Sequence, residues 1–208
     1  MTKVNESEGR IRQKNKAIIF DAAKKEFVTH GFKGASIKRI AERAKIPRAN
    51  IHYYFKDKTD LYQQLLSSII NVWNTDYDTL NADNDPKQAL SDYIRAKVMH
   101  AKDDPDGSRI FASEIIHGAP VLNEYLNSDF KSWLASKVAV IESWVEQGLI
   151  DTVNPHHLLF LIWSSTQHYA DFNVQVVAGL SKDKMDEQDF EDVVASLTQI
   201  ILKGCGIK

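Results

Sequence analysis

The sequence predicts an all-α protein of about nine helices, because apolar residues recur at spacings of three and four along most of the chain. Helix-breaking residues are scarce, with nine glycines and five prolines among 208 residues. Alternating runs of β-branched residues, which would indicate strands, are rare. The glycines and prolines that do occur divide the chain into segments of ordinary helix length.

The first predicted helix extends from about Arg10 to His30 and ends at Gly31, since glycine is the residue that most readily leaves a helix at its C-terminus. Four apolar residues at helical spacing are expected to be buried: Ile11, Ile18, Ala22 and Phe27. A short second helix follows over residues 37–44.

The second and third helices have recognisable first residues. Ser36 is expected to cap the second helix, and Pro47 to open a third helix that ends near Phe55. Two short helices joined by a turn of about three residues and packed on a longer one form a helix-turn-helix. We place this three-helix domain in residues 1–56.

The rest of the chain, residues 57–208, is expected to form a second helical domain. It begins with a long fourth helix, from about Asp57 to beyond Trp73. Five more helices are separated by breaks at 84–86, 103–107, 118–120, 148–155 and 179–186.

Charge divides the chain in the same way. Residues 1–62 carry fifteen basic and seven acidic side chains, whereas the remaining residues carry eleven basic and twenty-one acidic ones. The overall net charge of −2 thus conceals a cationic N-terminal part and an anionic remainder. A compact basic surface is typical of proteins that bind phosphates, and above all nucleic acid.

Several function classes find no support in the sequence. No apolar run could span a bilayer and the first residues are polar, so we expect a cytoplasmic protein without membrane association. Cys205 is the only cysteine, which excludes an intrachain disulfide. No nucleophile elbow, phosphate loop or dinucleotide fingerprint occurs. We expect neither an enzyme nor a cofactor, and no metal.

The third helix carries side chains suited to reading DNA. The second helix of a helix-turn-helix enters the major groove by its N-terminal end. There, Arg48 can donate a bidentate pair of hydrogen bonds to guanine and Asn50 can pair with adenine. Ile51 and Phe55, four residues apart, would anchor the helix to the core. The alternative is a polar face on a small helical bundle.

The stretch from Ile18 to Leu66 resembles the DNA-binding domain of the TetR family of transcriptional regulators along its whole length. The residues that carry the resemblance are Ala22, Ala23, Gly31, Phe32, Ser36, Ile40, Ala41, Tyr53, Tyr54, Phe55, Lys58 and Leu61. The resemblance implies DNA contacts by Ser36, Lys38, Pro47, Arg48, Ala49, Asn50, His52, Tyr53, Tyr54 and Lys58.

Lys45 departs from the family pattern, which usually has glycine in the turn between the second and third helices. A left-handed backbone there would cost lysine about 1 kcal/mol. The turn is therefore expected to be reshaped, and the lysine adds a positive charge close to the DNA.

The resemblance also implies a homodimer that binds palindromic double-stranded operator DNA. Family members pair through two helices, for which residues 155–179 and 186–203 are suitable amphipathic segments. The apolar stripe of the last segment comprises Phe190, Val193, Val194, Leu197, Ile200 and Ile201. Packing inside a single chain would account for the same stripe.

A small-molecule effector is expected in the C-terminal domain. Residues 113–120 and 161–172, with Trp73, resemble the pyrimidine-utilisation regulators of the family, which implies uracil or thymine as the effector. Trp163 and Gln167 lie on one helix face, where an indole could stack on a flat ring and an amide could pair with an imide. The ligand residues expected from the resemblance are Trp73, Phe111, Glu114, Ile115, Trp163 and Gln167.

Other interpretations stay open at this point. Both tryptophans could be core residues, and Gln167 a satisfied buried amide. The effector could be an unrelated small metabolite, or the protein could be an architectural DNA-binding protein without any effector. A helical enzyme acting on a small heterocycle through Glu114, His117 or His168 is the remaining alternative.

Overall fold

The structure is a computed structural model that describes residues 2–76 and 80–207, with the side chains of residues 12–75 and 80–207. The all-α prediction is confirmed: within these ranges there are helices and no strands. The helices are α1 Thr2–Gly34, α2 Ile37–Ala44, α3 Arg48–Tyr54, α4 Lys58–Asp76, α5 Pro86–Asp103, α6 Pro105–Ile116, α7 Asn123–Asn127, α8 Asp129–Glu146, α9 Pro155–Asp171, α10 Asn173–Leu180 and α11 Glu187–Gly204.

The described residues thus form eleven helices, two more than expected. One addition is the five-residue α7, which is too short to show a periodic pattern. The other arises because the segment expected to be continuous over residues 155–179 is divided at Phe172, whose backbone leaves the helical region at φ −113° and ψ 28°. Nothing in the residue type of Phe172 signals that break.

Helix α1 is longer than expected, and two of its expected buried residues, Ala22 and Phe27, are confirmed at 2% and 3% exposure. It begins at Thr2 and is interrupted at Gly31, where φ is 64°. Ile18, expected to be buried, is 39% exposed, whereas Ile19 is fully buried. The buried face therefore follows Ile19, Ala23 and Phe27, at i, i+4 and i+8. The predicted buried residue Ile11 and the side chain of Arg10 lie outside the described side chains.

The chain packs as two compact units, Met1–Ile69 and Ile70–Lys208. The expected domain boundary, between residues 56 and 57, lies just before α4. The boundary between the two compact units lies instead within α4, between Ile69 and Ile70. The first turns of α4 join the N-terminal unit because Leu61, Leu65 and Leu66 are fully buried. In the same unit the Tyr62 ring meets the edge of Phe27 at 4.8 Å between centroids.

In the C-terminal unit, α5 is the central helix, packing against α6, α9 and α11, while α8 packs against α7 and α9. The largest fully buried side chains there are Trp144 and Tyr93. Four members of the α11 stripe, Phe190, Val193, Val194 and Ile201, belong to this core. Packing within one chain therefore explains that part of the stripe, whereas Ile200 is 64% exposed.

No helix in the described ranges is both long and apolar enough to cross a membrane.

Candidate functional site

Helices α2 and α3 form the expected helix-turn-helix. The Ser36 hydroxyl accepts a hydrogen bond from the Arg39 backbone N–H at 3.2 Å and so caps α2. Pro47 precedes the first residue of α3. Ile51 and Phe55 are buried, at 0% and 1% exposure, as predicted. These two anchors fix which face of α3 is turned outward.

The outward face of α3 carries most of the residues expected to contact DNA. The exposed members of the set on and beside α3 are Pro47, Arg48, Ala49, Asn50, His52 and Tyr53. Tyr53 is 74% exposed, and its ring meets that of Tyr54 edge to face at 5.0 Å between centroids. On α2, the Lys38 ammonium is also exposed and lies 3.9 Å from the Glu42 carboxylate.

Lys45 retains the glycine-like geometry of the turn. Its backbone is left-handed, with φ 55° and ψ 40°, and its N–H donates to the carbonyl groups at the end of α2. The expectation of a reshaped turn is therefore wrong. The Lys45 side chain is exposed, so no packing contact accounts for the strained backbone.

Two further residues of the expected DNA-binding set, Lys58 and Tyr54, make hydrogen bonds to distant parts of the N-terminal unit. The Lys58 ammonium donates to the carbonyl oxygens of Phe32 at 2.7 Å and Ala35 at 3.0 Å, and lies 4.7 Å from the centroid of the Phe32 ring. The Tyr54 hydroxyl accepts from the Asn15 amide at 2.9 Å. Lys58 thereby ties the start of α4 to the junction of α1 and α2, and Tyr54 ties the end of α3 to α1.

Glu26 is a residue of this unit that the sequence analysis did not identify. It is 1% exposed, and its Oε1 accepts from the Ser36 backbone N–H at 3.1 Å and from Arg39 Nε at 2.6 Å. The carboxylate thereby ties α1 to the start of α2. The available signal was its position one residue before Phe27, on the apolar face of α1.

The C-terminal unit contains an open cavity whose empty space is about 440 Å³ when the adjoining open solvent is included. Its lining comprises Ile70, Trp73, Asn74, Lys97, Phe111, Tyr125, Phe130, Trp133, Trp163 and Gln167. All of these belong to the same compact unit.

Four of the six expected ligand residues, Trp73, Phe111, Trp163 and Gln167, line this cavity together. Glu114 and Ile115 do not. Glu114 is 4% exposed, and its Oε1 accepts from the backbone N–H groups of residues 121 and 122 at 2.6 and 3.2 Å. It holds the turn after α6, and Ile115 is 39% exposed.

The aromatic walls of the cavity are fixed by their own contacts. The Trp163 indole N–H donates to the buried Tyr93 hydroxyl at 2.5 Å. The Trp163 ring lies 6.0 Å from both Phe130 and Trp133 between centroids. On another side, Trp73 and Phe111 meet edge to face at 4.9 Å. Such preorganised rings offer flat surfaces for stacking.

Polar groups in the cavity are few and placed among these rings. Among the described residues, none forms a hydrogen bond with the Gln167 side-chain amide. The Gln167 side chain is half-buried and lines the cavity. Burial raises the pKa of the Tyr125 hydroxyl, and a hydrogen bond with Asn74 opposes that shift. Tyr125 thus stays protonated at neutral pH.

Lys97 is the charged residue of the cavity, and the sequence analysis missed it. It is 3% exposed, and its Nζ lies 4.4 Å from the centroid of the Trp73 ring. The signal was its place in α5, where it continues the buried stripe of Leu90, Tyr93 and Ile94. A lysine is almost never fully buried unless its charge is paired.

Beside this cavity, Asp171 at the end of α9 connects to α6. Its carboxylate accepts from the Ser108 hydroxyl at 2.7 Å, and Arg109 Nε donates to the Ala170 carbonyl at 3.0 Å. Burial raises the pKa of Asp171, while the Ser108 hydrogen bond and the charges of Arg109 and Lys97 oppose the rise.

Two family models match consecutive parts of the chain. Residues 19–65 match the model of bacterial regulatory proteins of the tetR family, and residues 66–208 match the model of the C-terminal region of YcdC-like proteins. The chain belongs to the TetR family. The resemblance from the N-terminal residues is thus confirmed, and the TetR assignment extends through the unit that contains the cavity.

Curated relatives agree with this assignment. The transcriptional regulator RutR of Escherichia coli O157:H7 is 39% identical over 194 residues, which are 93% of this chain and 91% of that protein. RutR of Escherichia coli K12 is 38% identical over the same lengths. The transcriptional repressor NicS of Pseudomonas putida is 26% identical over 89% of this chain and 90% of its own. This TetR-family chain is a transcriptional regulator.

Solved structures share the fold. The ketosteroid regulator KstR2 of Mycobacterium tuberculosis superposes with a TM-score of 0.72 at 16% identity, over 91% of this chain and 93% of its own. The fatty acid degradation regulator FadR of Bacillus halodurans superposes with a TM-score of 0.67 at 19% identity, over 90% of this chain and 94% of its own. At these identities the likeness concerns the TetR fold, and not the ligand.

Proposed function

We propose that this TetR-family regulator binds palindromic operator DNA as a homodimer and leaves it when a planar pyrimidine occupies the cavity of the C-terminal unit. Uracil and thymine are the effectors that we favour. The observation that carries the proposal is the combination of indole walls with the Gln167 amide in one cavity. A flat imide needs both features, a stacking surface and a group that donates and accepts hydrogen bonds.

The DNA-reading role is assigned to α3. Arg48 and Asn50 lie exposed at its N-terminal end, the end that enters the major groove in a helix-turn-helix. Six other members of the expected set would contact the sugar–phosphate backbone of the DNA. These residues are Ser36, Lys38, Pro47, Ala49, His52 and Tyr53. Lys58 and Tyr54 support the interface from within, because their polar atoms already hold neighbouring segments.

Dimerisation is assigned to the outer faces of α9 and α11. Phe160 and Leu161 on α9 are 44% and 52% exposed, and Ile200 on α11 is 64% exposed. Exposed apolar side chains on two helices of one unit are what a paired helical interface requires. Regulators of the TetR family act as dimers, and two-fold symmetry calls for a palindromic operator.

Helix α4 provides the route from effector to DNA, because it contributes residues to both units. It begins at Lys58, and Trp73, fifteen residues later, lines the cavity. At about 1.5 Å per residue, these positions are roughly 22 Å apart along the helix. A movement of Trp73 on ligand binding would change the spacing of the two recognition helices, which must match about 34 Å.

Repression is the mode of action that we favour. NicS and the Streptomyces coelicolor protein SCO4008, which is 28% identical over 71% of this chain, are both named transcriptional repressors. A repressor that loses its operator on binding effector must bind the effector more tightly when free of DNA. By linkage, saturating operator must weaken effector binding by the same factor, about 5- to 150-fold.

The test begins with selection of a binding site from random DNA, followed by fluorescence anisotropy with the selected duplex. Uracil or thymine should release the DNA, whereas cytosine, which lacks the imide, should release it far less. If no small molecule releases the DNA or changes the melting temperature of the protein, the result would favour an architectural protein without an effector. Release by an unrelated metabolite would refute the pyrimidine assignment, and turnover of a heterocycle would refute the regulator mechanism.

A further inference from the structure

Arg39, in the first turn of α2, is held along one edge of its guanidinium group and open along another. Its Nε donates to Glu26 Oε1 at 2.6 Å, and its Nη2 donates to the Gly34 carbonyl oxygen. These two contacts use the side of the planar group that carries Nε. In the described part of the chain no group accepts a hydrogen bond from Nη1, and the side chain is 44% exposed.

Glu26 fixes this orientation. Its side chain is 1% exposed, and Oε1 also accepts from the Ser36 backbone N–H at 3.1 Å. On the other side, His30 Nε2 lies 3.8 Å from Glu26 Oε2. Removing one partner of a buried ion pair is costly, because the remaining charge is left uncompensated. Glu26 thus holds the guanidinium of Arg39 in one orientation before any ligand arrives.

The open edge of Arg39 lies beside residues expected at the DNA. Its neighbour Lys38 is exposed, and Ser36 caps the same turn. In a helix-turn-helix, the first helix crosses the sugar–phosphate backbone while the second lies in the major groove. The two N–H groups at the end of a guanidinium match two oxygens of one phosphate. An arginine that is already oriented loses less freedom in making such a contact.

We propose that Arg39 binds a DNA backbone phosphate through its Nη1 and Nη2 groups, and that Glu26 is the positioning residue for this contact. The inference rests on the proposed function, since it concerns the same DNA-binding unit, and it adds two residues to the expected set. A phosphate contact carries no base information. It therefore strengthens binding to any duplex by the same factor.

The test measures binding of the full chain by fluorescence anisotropy, with the selected duplex and a shuffled duplex of equal length, over about 50 to 300 mM salt. Arg39→Met removes the charge and the paired N–H groups. The slope of log K against log salt should fall by about 0.9 on both duplexes, and affinity by about 8-fold at about 0.1 M salt.

Lys25→Met is the matched control, because it removes one charge from an exposed ammonium of the same unit that pairs with Asp21. Its slope should equal that of the wild type. Equal slopes for Arg39→Met and the wild type would overturn the inference. A loss confined to the selected duplex would overturn it too, because it would indicate that Arg39 reads a base.

Arg39→Met also leaves the Glu26 carboxylate without its cationic partner, and a second background removes that effect. Glu26→Gln has no charge but keeps an oxygen that can accept from Ser36 and Arg39. Adding Arg39→Met to Glu26→Gln should lower the slope by about 0.9 relative to Glu26→Gln alone. No loss in this background would overturn the inference, because Arg39 would then serve only to neutralise Glu26.

The positioning role is tested by comparing Glu26→Leu with Glu26→Gln, since both lose the charge but only leucine loses the acceptor. Glu26→Leu should bind DNA about 3-fold more weakly than Glu26→Gln, and equally when Arg39→Met is added to both. A difference that persists with Arg39→Met would refute positioning, because it would show an effect of Glu26 that does not act through Arg39.

Failure of the inference is distinguishable from failure of the proposed function. If the wild type binds the selected duplex and Arg39→Met keeps its slope, only the role of Arg39 is refuted. If the wild type binds no duplex, the proposed function is refuted as well. Should Arg39→Met fail to fold by circular dichroism, the comparison in the Glu26→Gln background decides, since no carboxylate is left there without a partner.

Discussion

Replacing Lys45 by glycine is expected to stabilise the protein and weaken its binding to DNA. Lys45 has φ 55° and ψ 40°, a conformation that costs a residue with a Cβ atom about 1 to 2 kcal/mol. Glycine removes that cost, while its greater freedom in the unfolded chain takes back about 0.4 to 1 kcal/mol. The net gain should lie between about 0 and 1.6 kcal/mol, with a central value of about 0.8 kcal/mol, or roughly 2 °C in Tm for a chain of this size.

Lys45→Ala is the matched control, because alanine removes the charge but keeps the Cβ atom and therefore the strain. Calorimetric melting of the three proteins should give a higher Tm for Lys45→Gly and no gain for Lys45→Ala. Equal or lower stability of Lys45→Gly relative to Lys45→Ala would refute the strain argument.

The same pair of variants tests whether the charge of Lys45 contributes to DNA binding. Both should bind the selected duplex less tightly than the wild type and to an equal extent, since both lose one positive charge. The slope of log K against log salt should fall by about 0.9 if one phosphate contact is lost. Unchanged slopes in both variants would show that the side chain makes no such contact.

Three further predictions concern the recognition helix, the cavity and pH. Arg48→Ala and Asn50→Ala should each weaken operator binding by about 1 to 3 kcal/mol, measured by anisotropy, without change in Tm; wild-type affinity would remove either residue from the interface. Gln167→Ala should keep operator binding but abolish release by uracil, and Gln147→Ala, at an exposed position just after α8 and outside the cavity lining, should behave as the wild type. Because the pKa of Asp171 is raised on folding, this group should make the protein less stable as pH rises through its folded-state pKa. Asp171→Asn should therefore gain stability over the wild type with rising pH in urea unfolding, and a constant difference would contradict this.

The N-terminal unit was the more predictable part of the chain. Apolar spacing and cap residues located α2 and α3 and their anchors Ile51 and Phe55, because these signals act within a few residues. In α1 the expected burial of Ala22 and Phe27 was correct, but Ile18 was chosen where Ile19 is buried, since either isoleucine of the pair fits the apolar spacing. Tertiary packing alone decides between them.

The cavity was predicted in part, and the omissions have a common cause. Trp163 and Gln167 share one helix, so their spacing placed them together. Tyr125 and Trp133 reach the cavity from α7 and α8, and no local pattern links those helices to α9. Glu114 was assigned to the ligand from the family resemblance of residues 113–120, but backbone N–H groups of the turn after α6 occupy its carboxylate.

The distribution of tryptophans gives this regulator a built-in optical reporter. Of the four tryptophans in the chain, Trp73, Trp133 and Trp163 line the cavity. Trp144 is fully buried in the core, and its indole N–H donates to the Ala82 carbonyl at 3.2 Å. An occupant stacked on the cavity walls would quench or shift the emission of three indoles while the fourth remains constant as an internal reference. Occupancy of the cavity can therefore be followed in the unlabelled protein, separately from its release of DNA.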